Sequence, residues 1–301
     1  VQNFIRIKKR RRNRKMSSLQ NKIDFVVLVK VNQANPNGDP LNGNRPRTNY
    51  AGNGEISDVC IKRKIRNRLQ DMGEKLFVQM AERSDDGYTS LSERASKTIT
   101  SYRSKEDYAK QACENWIDVR TFGQVFAFKP TDKKEKDKDG VSVGVRGPVS
   151  IHQAISCSPI DINTMQITKS VNSEPSDKKG SDTMGSKHLV EFGLYKIKGS
   201  INVQLAEKTG FSEEDAEKIK EALRTLFIND ASAARPDGSM EVVRIYWWKH
   251  NNKIGQYSAA KVHDSLKIEL KEGVMIPGSV DDYMIRVEEL PGLEPEIIEG
   301  M

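Results

Sequence analysis

KIDFVVLVKVNQANPNGDPLNGNRPRTN, residues 22–49, joins two stretches of opposite character. Over 22–31 the chain is short, apolar and rich in β-branched residues, which marks a largely buried strand more clearly than a helix. Residues 32–49 are packed with Asn, Gly and Pro, each of which favours turns and interrupts regular structure. A connection of that length is usually functional or disordered.

Downstream, Ser57 can cap a helix running to about Met72, with Ile61, Ile65, Leu69 and Met72 on one face. Lys62, Arg63, Arg66 and Asn67 fall on another face, where they serve either as a solvated surface or as phosphate ligands beside the Gly-rich loop. Residues 76–80 (LFVQM) read as a second strand and 81–115 as a polar, mainly helical insertion. DVRTFGQVFAF, from Asp118, is strand-like, and 131–140 (TDKKEKDKDG) is almost wholly charged and reads as a mobile loop. VSVGVRGPVSIHQAIS, 141–156, has the strongest β composition and reads as a third strand. Residues 163–187 form a second polar protrusion, flanked by IDINTMQIT and HLVEFGLYKI, a pair that suggests an extended β-hairpin.

Residues 197–205 read as another strand. Ser212 and Asp215 open a helix in the manner of a capping box, Glu213 and Glu214 suit its dipole, and Ile219, Leu223 and Leu226 or Phe227 supply its buried stripe. EVVRIYWWK, 241–249, closes the core as a strand, followed by a short helix and a polar, acidic tail. Without its insertions the order is β, α, β, β, α, β, the ferredoxin-like or RRM pattern, so the expected fold class is α+β. Such folds host many functions and decide none.

Composition narrows the classes. The chain has 301 residues and a net charge of +7, but residues 1–15 alone carry eight Lys or Arg and no acid, leaving 41 basic against 42 acidic residues in the remainder. That leader is either an extension upstream of a natural start at Met16 or a disordered basic arm that binds RNA. Charge is polarised again beyond it: 16–70 hold nine basic and four acidic residues, 269–301 two and nine. No apolar run approaches the roughly 20 residues a membrane helix needs, and no secretory signal is visible, so a soluble, cytoplasmic protein is expected. Cys60, Cys113 and Cys157 form no CxxC pair and read as reduced, mostly buried thiols. His152, His188, His250 and His263 are scattered without metal-ligand spacing, so neither a metal nor a cofactor is expected.

NPNGDPLNGNRPR after the first strand, DVCIKRKIRN on the first helix, DVRTFGQVF, VRGPVSIHQAIS and TMGSKH together cover most of residues 20–260. In that combination the chain resembles the backbone subunit family of the type I-C CRISPR Cascade complex, a Csd/Csh-type backbone of the repeat-associated mysterious protein (RAMP) superfamily. The resemblance implies an RRM-like palm over 16–268, a helical finger insertion at 81–140, a long β-hairpin thumb at 160–197 and an acidic C-terminal segment at 269–301. It implies a non-catalytic homo-oligomer: several copies stack head to tail along one guide RNA (crRNA), beside the repeat-handle and large subunits, and leave the bases free for target DNA in antiviral defence. Phosphate contacts then fix position while base pairing supplies specificity.

Residue by residue, Asn35, Asn37 and Gly38 match the family's loop against the guide backbone, and Arg45 and Arg47 add forked donors suited to phosphate. Lys62, Arg63 and Arg66 match its basic helix. Arg146 and Gly147 match the segment entering the central strand, with His152 and Gln153 as weaker candidates. Met184 is the candidate apolar wedge between bases, flanked by Thr183, Gly185, Ser186 and Lys187. Each has a plain alternative: turn dipeptides, surface charges, a packed methionine. The chain departs from common RRMs in lacking the aromatic stacking motif, so stacked bases on the sheet are not expected.

Two rival functions remain open at the level of sequence. A metal-independent endoribonuclease that processes guide precursors needs a general acid and base at one phosphate, and neither His152 nor His188 has an obvious partner. A general single-stranded nucleic-acid-binding protein would ignore repeat sequence and impose no regular footprint. GNRPR lacks a P-loop ending and no GxGxxG is present, which disfavours a nucleotide-binding enzyme.

Overall fold

The structure is a computed structural model that describes residues 18–128, 141–168 and 184–301. The basic leader, the charged stretch at 131–140 and residues 169–183, Thr183 included, lie outside the described residues.

The apolar run after Lys22 forms β1 (Ile23–Ala34). The Gly-rich segment that follows is ordered by its own turn chemistry: Asp39 accepts from the Leu41 N–H to cap a 3-10 turn, and β2 (Gly38–Asp39) pairs with β3 (Arg45–Pro46). After β4 (Asn53–Ile56), Ser57 Oγ accepts from Cys60 N and opens α1 (Asp58–Asp71), which buries Ile61, Ile65 and Leu69 as the spacing predicts, together with Lys64. The polar insertion is helical: α2 (Leu91–Thr98) and α3 (Lys105–Asn115) each start on a serine cap.

Next come α4 (Ile117–Phe122), β5 (Gly123–Phe128), β6 (Val141–Arg146), β7 (Val149–Ile151), β8 (Ala154–Pro159) and β9 (Ile162–Thr168). β10 (Met184–Ile201) is the long strand of the molecule and is followed by α5 (Val203–Thr209). Ser212 and Asp215 form a reciprocal capping box that opens α6 (Glu213–Arg224), and Ile219 and Leu223 are buried beneath it. The chain ends with β11 (Met240–Lys249), α7 (Ala259–Ser265), β12 (Leu266–Leu270), β13 (Tyr283–Val287) and β14 (Glu296–Glu299).

The result is a mixed α+β fold around one antiparallel sheet, ordered β14-β11-β1-β10-β8-β4, with β7 and β9 also paired to β10. Because side chains alternate along a strand, β1 buries both faces. Phe25, Val27 and Val29 share a cluster with Ile61 and Ile65 of α1 and Ile219 and Leu223 of α6. Val26 and Leu28 face the other way, into a cluster with Trp248, Val262, Leu266, Tyr283, Leu290 and Leu293. The C-terminal stretch that reads as an acidic tail therefore folds, and it covers the second face of the sheet. A third cluster, with Phe77, Tyr108, Trp116 and Phe126, gives the insertion a core of its own.

Four local expectations are corrected. Residues 76–80 form no strand: the Asp118 carboxylate accepts from the N–H groups of Phe77 (2.7 Å) and Val78 (3.0 Å), replacing a strand neighbour. The stretch from Asp118 begins as a helix and becomes strand only at Gly123. Residues 141–156 are not one strand, because the backbone at Gly147 crosses that of residues 121–123, where an added Cβ would lie 2.4 Å from Gly123 N. Residues 197–205 are not a separate strand either: β10 runs through to Ile201, and Asn202 Oδ1 accepts from Leu205 N to start α5.

Candidate nucleic-acid interface

The Gly- and Asn-rich loop folds onto the base of the β9–β10 hairpin. Arg45 Nη1 donates to Thr164 Oγ1 at 3.0 Å, and the same hydroxyl lies 3.0 Å from His188 Nδ1. Thr164 and His188 are paired across β9 and β10. The loop is tied equally to α1, since the Ser57 N–H donates to Asn37 Oδ1 at 2.9 Å. Loop, helix start and hairpin base thus converge on one polar, basic surface.

Within it the residues divide by what their polar atoms already hold. Asn35 is buried; its amide donates to the Asn44 carbonyl at 2.6 Å, so it shapes the loop from beneath. Gly38 is required by a close approach, an added Cβ falling 2.0 Å from Asn44 Oδ1. Arg47 Nη2 reaches Asp39 at 3.2 Å and Lys62 reaches Asp58 at 3.0 Å, both partly exposed and weakly held. Arg63 is exposed and beside a cavity of about 210 Å³ whose lining includes Cys60, Lys64, Arg83 and Arg235. Arg66 is engaged elsewhere: it donates to Asp118 at 3.0 Å and stacks on the Phe122 ring at 5.1 Å.

Of the remaining sequence candidates, Gln153 reaches the flank of the loop through Glu55, whose N–H donates to the Arg47 carbonyl at 2.9 Å, and the others lie elsewhere. Arg146, Gly147, His152 and Gln153 lie where β10 nears its end, Ile151 pairing with Gly199 and the His152 N–H donating to the Lys198 carbonyl at 2.9 Å. Eleven residues of extended strand separate His188 from Gly199, about 36 Å. Arg146 is exposed, Gln153 donates to Glu55 at 3.0 Å, and the His152 ring meets His263 edge-on at 6.0 Å. On the hairpin, Met184, Gly185 and Ser186 are exposed and Lys187 is half-buried. Register pairs Met184 with Thr168 and Lys187 with Met165, and Met165 and Ile167 are also exposed.

Sequence reading missed Thr164 and His188 as parts of this surface, and Lys64 and Arg235 as its support. Lys64 is buried in an ion pair with Asp230, which Arg235 also approaches at 3.4 Å. Burial pushes the Lys64 ammonium pKa down, against the pull of Asp230. The Ala234 carbonyl accepts from Asn35 N at 2.8 Å, so residues 230–235 brace the loop. A signal existed for the hairpin pair: polar Thr164 and His188 sit in arms that were already expected to face each other.

Among the described residues no group of three or more His, Cys, Asp or Glu could hold a metal ion, and no helix is long and apolar enough to cross a membrane. The cysteines are free thiols, and burial raises those of Cys113 and Cys157 to about 11.

Comparison with known proteins assigns the family. The model of the family "CRISPR-associated protein Cas7" matches residues 21–288. The chain belongs to the CRISPR-associated protein Cas7 family. A curated relative, "CRISPR-associated protein Cas7" of Haloferax volcanii, is 26% identical over 211 residues, covering 66% of this chain. The match spans 62% of that relative's length. Two solved structures are similar in shape. A chain of a "CRISPR RNA-guided surveillance complex, pre-nicking" has a TM-score of 0.48 at 15% identity, covering 79% of this chain and 81% of that one. A chain of a "CRISPR RNA-guided surveillance complex" has a TM-score of 0.46 at 16% identity, covering 84% and 78%. Membership of the Cas7 family agrees with the resemblance carried by the loop motif, at the level of the family.

Proposed function

We propose that this Cas7-family chain is a non-catalytic backbone subunit of a type I-C CRISPR Cascade complex. Several copies stack head to tail along one crRNA in the cytoplasm and present its bases to target DNA. The observation that carries the reading is the join between the Asn- and Gly-rich loop and the hairpin base, Arg45 to Thr164 to His188. A forked cation and exposed loop backbone there suit phosphate contacts, which position RNA without reading it. In this reading residues 16–268 are an RRM-like palm. The β11-β1-β10-β8 order supports it, with α1 and α6 packed on one face. Residues 81–140 act as fingers and 160–197 as a thumb, whose apolar side chains at Met165, Ile167 and Met184 are exposed as a wedge requires. The covered second face fits a protein that does not stack bases across its sheet.

The test is to express the chain with a CRISPR array and the other subunits of the complex, and to sequence the RNA that copurifies. Uniform repeat-spacer RNAs with periodic nuclease protection are expected. Mixed cellular RNA in their place would move the assignment to a general single-strand binder, and metal-independent cleavage of the array transcript by the isolated chain would move it to a processing enzyme.

A further inference from the structure

The hairpin of β12 and β13 turns alternate side chains into the second sheet face, where Leu266 and Tyr283 are buried and Ile268, Leu270 and Ile285 pack beside them. The turn between the two strands is held as firmly. The Lys271 N–H donates to the Asp282 carbonyl at 2.9 Å, and the Asp282 carboxylate accepts from the N–H groups of Gly278 (2.7 Å) and Ser279 (2.8 Å). At its tip this fixed backbone presents Met275 and Ile276, 91% and 76% exposed. Adjacent large apolar side chains that bury nothing within their own chain mark a recognition surface. Glu272 and Asp281, in the same turn, are exposed and make no ion pair among the described residues. A surface of the opposite charge lies across the sheet. The cavity of about 210 Å³ beside α1 is lined by apolar Cys60 and Met80 and by Arg63, Lys64, Arg83 and Arg235, with Glu82 and Asp230 as its acids. Arg83 is paired with Asp71, and Lys64 and Arg235 share the one carboxylate of Asp230. Arg63 has no ion pair among the described residues, and the buried Nε of Arg235 makes no hydrogen bond among them. The cavity therefore has room for further carboxylates.

We propose that the Met275–Ile276 turn of one copy docks in the α1 cavity of the next, Met275 against Cys60 and Met80, with Glu272 and Asp281 toward Arg63 and Arg235. The inference rests on the stacking of copies proposed above and names the two surfaces that meet. Charge selects the pair: residues 16–70 hold nine basic and four acidic residues, 269–301 two and nine. Position selects it too. α1 packs on one face of the sheet and the β12–β13 hairpin on the other, so turn and cavity look away from each other within one copy. A contact between unlike patches on opposite faces is heterologous and repeats from copy to copy, as a row along one RNA requires. Methionine is unbranched and fills irregular gaps, which suits it to a cavity edged by long side chains. Nucleic acid is a poor occupant of the turn, because the free carboxylates there repel phosphate. The docking commits Arg63 to protein in place of phosphate.

The experiment assembles the full chain with a CRISPR array transcript and the other subunits of the complex, the chain carrying the photocrosslinker p-benzoylphenylalanine in place of Ile276. After irradiation, the band at twice the chain mass is digested and its joined peptides are identified by mass spectrometry. Crosslinks from position 276 to residues 60–83 or 229–235 of a second copy are expected. In parallel, native mass spectrometry counts the copies on each RNA as the chain is diluted. Met275→Arg, which carries a cation into the cationic cavity, should weaken association between copies about tenfold or more. It should leave the thermal midpoint of the isolated chain unchanged, because Met275 is exposed there. Crosslinks to another subunit or to RNA, or a full row of copies with Met275→Arg at every dilution, would overturn the inference and leave the proposed function standing. Wild-type chain that never places more than one copy on an RNA would overturn both.

Discussion

Arg66 Nε donates to Asp118 Oδ2 at 3.0 Å, and the same carboxylate also accepts from the N–H groups of Phe77 and Val78. Asp118 is 1% exposed as a side chain and Arg66 14%, so this is a buried junction between α1, the segment after it and α4. One carboxylate thereby joins the sheet layer to the insertion. It also removes Arg66 from the set of cations that can face a nucleic acid, although Lys62 and Arg63 of the same helix remain outside.

That junction separates two arginines that sequence alone treats alike. Arg66→Ala leaves Asp118 buried without its cation and should cost about 3 kcal/mol, read as a shift in the denaturant midpoint. Arg45→Ala, which removes one solvent-facing hydrogen bond to Thr164 from a half-buried side chain, should leave stability within about 0.5 kcal/mol and lower the salt slope of RNA binding by about one. Equal stability of the two variants would show that the Asp118 junction does not hold the insertion.

Gly38→Ala tests whether loop shape matters apart from charge. A Cβ there would fall 2.0 Å from Asn44 Oδ1 and 2.8 Å from the Asn44 carbonyl, so the β2–β3 turn must open. Because Gly38 lies outside the main sheet, the thermal midpoint should move little while RNA affinity drops about tenfold. Unchanged affinity in a filter-binding titration would place the contact elsewhere on the surface.

The parts of this fold that sequence discloses are those fixed by local periodicity. β1, α1 and α6 announce themselves through apolar spacing and serine caps, and their bounds fall within a few residues of expectation. What sequence hides is tertiary substitution. LFVQM has strand composition, but its backbone donors are taken by a carboxylate 40 residues away, so no ladder forms. Residues 197–205 look continuous because Ile197, Ile201, Val203 and Leu205 keep a period of two, yet Asn202 caps a helix. The C-terminal segment hides its core residues among acids, so Tyr283, Leu290 and Leu293 carry no readable period. At the site, Arg45 is visible as composition, whereas its partner Thr164 is 119 residues distant and becomes apparent only once the hairpin register is known.

Acid should unfold the chain partly through Asp24. Its side chain is fully buried; burial alone would raise its pKa, but hydrogen bonds from His250, Lys22 and Ser200 outweigh that and hold it below the usual carboxylate value. A depressed folded-state pKa means the contribution is present above the unfolded carboxylate value and is lost as pH falls through the folded one. Stability measured by denaturant titration should therefore fall between about pH 5 and pH 2. Asp24→Asn should be less stable at about pH 7 and show a flatter acid limb; a limb as steep as wild type would assign the loss to other carboxylates.

Met184 separates affinity from geometry. Its side chain is 64% exposed on the hairpin, with Gln166 beside its sulfur, so truncation removes little folded-state packing and should change stability by less than about 0.5 kcal/mol. If the hairpin kinks the guide, the methionine contributes by wedging between bases, a step whose unstacking cost is offset by contacts made elsewhere. Met184→Ala should then leave affinity within about threefold while blurring the periodic nuclease protection of RNA in the assembled complex, because some bases remain stacked at the kink. Met165→Ala and Ile167→Ala, on the neighbouring arm and exposed at 38% and 51%, serve as comparisons. Sharp protection in Met184→Ala, lost instead in Ile167→Ala, would move the wedge from β10 to β9 and leave the hairpin's role intact.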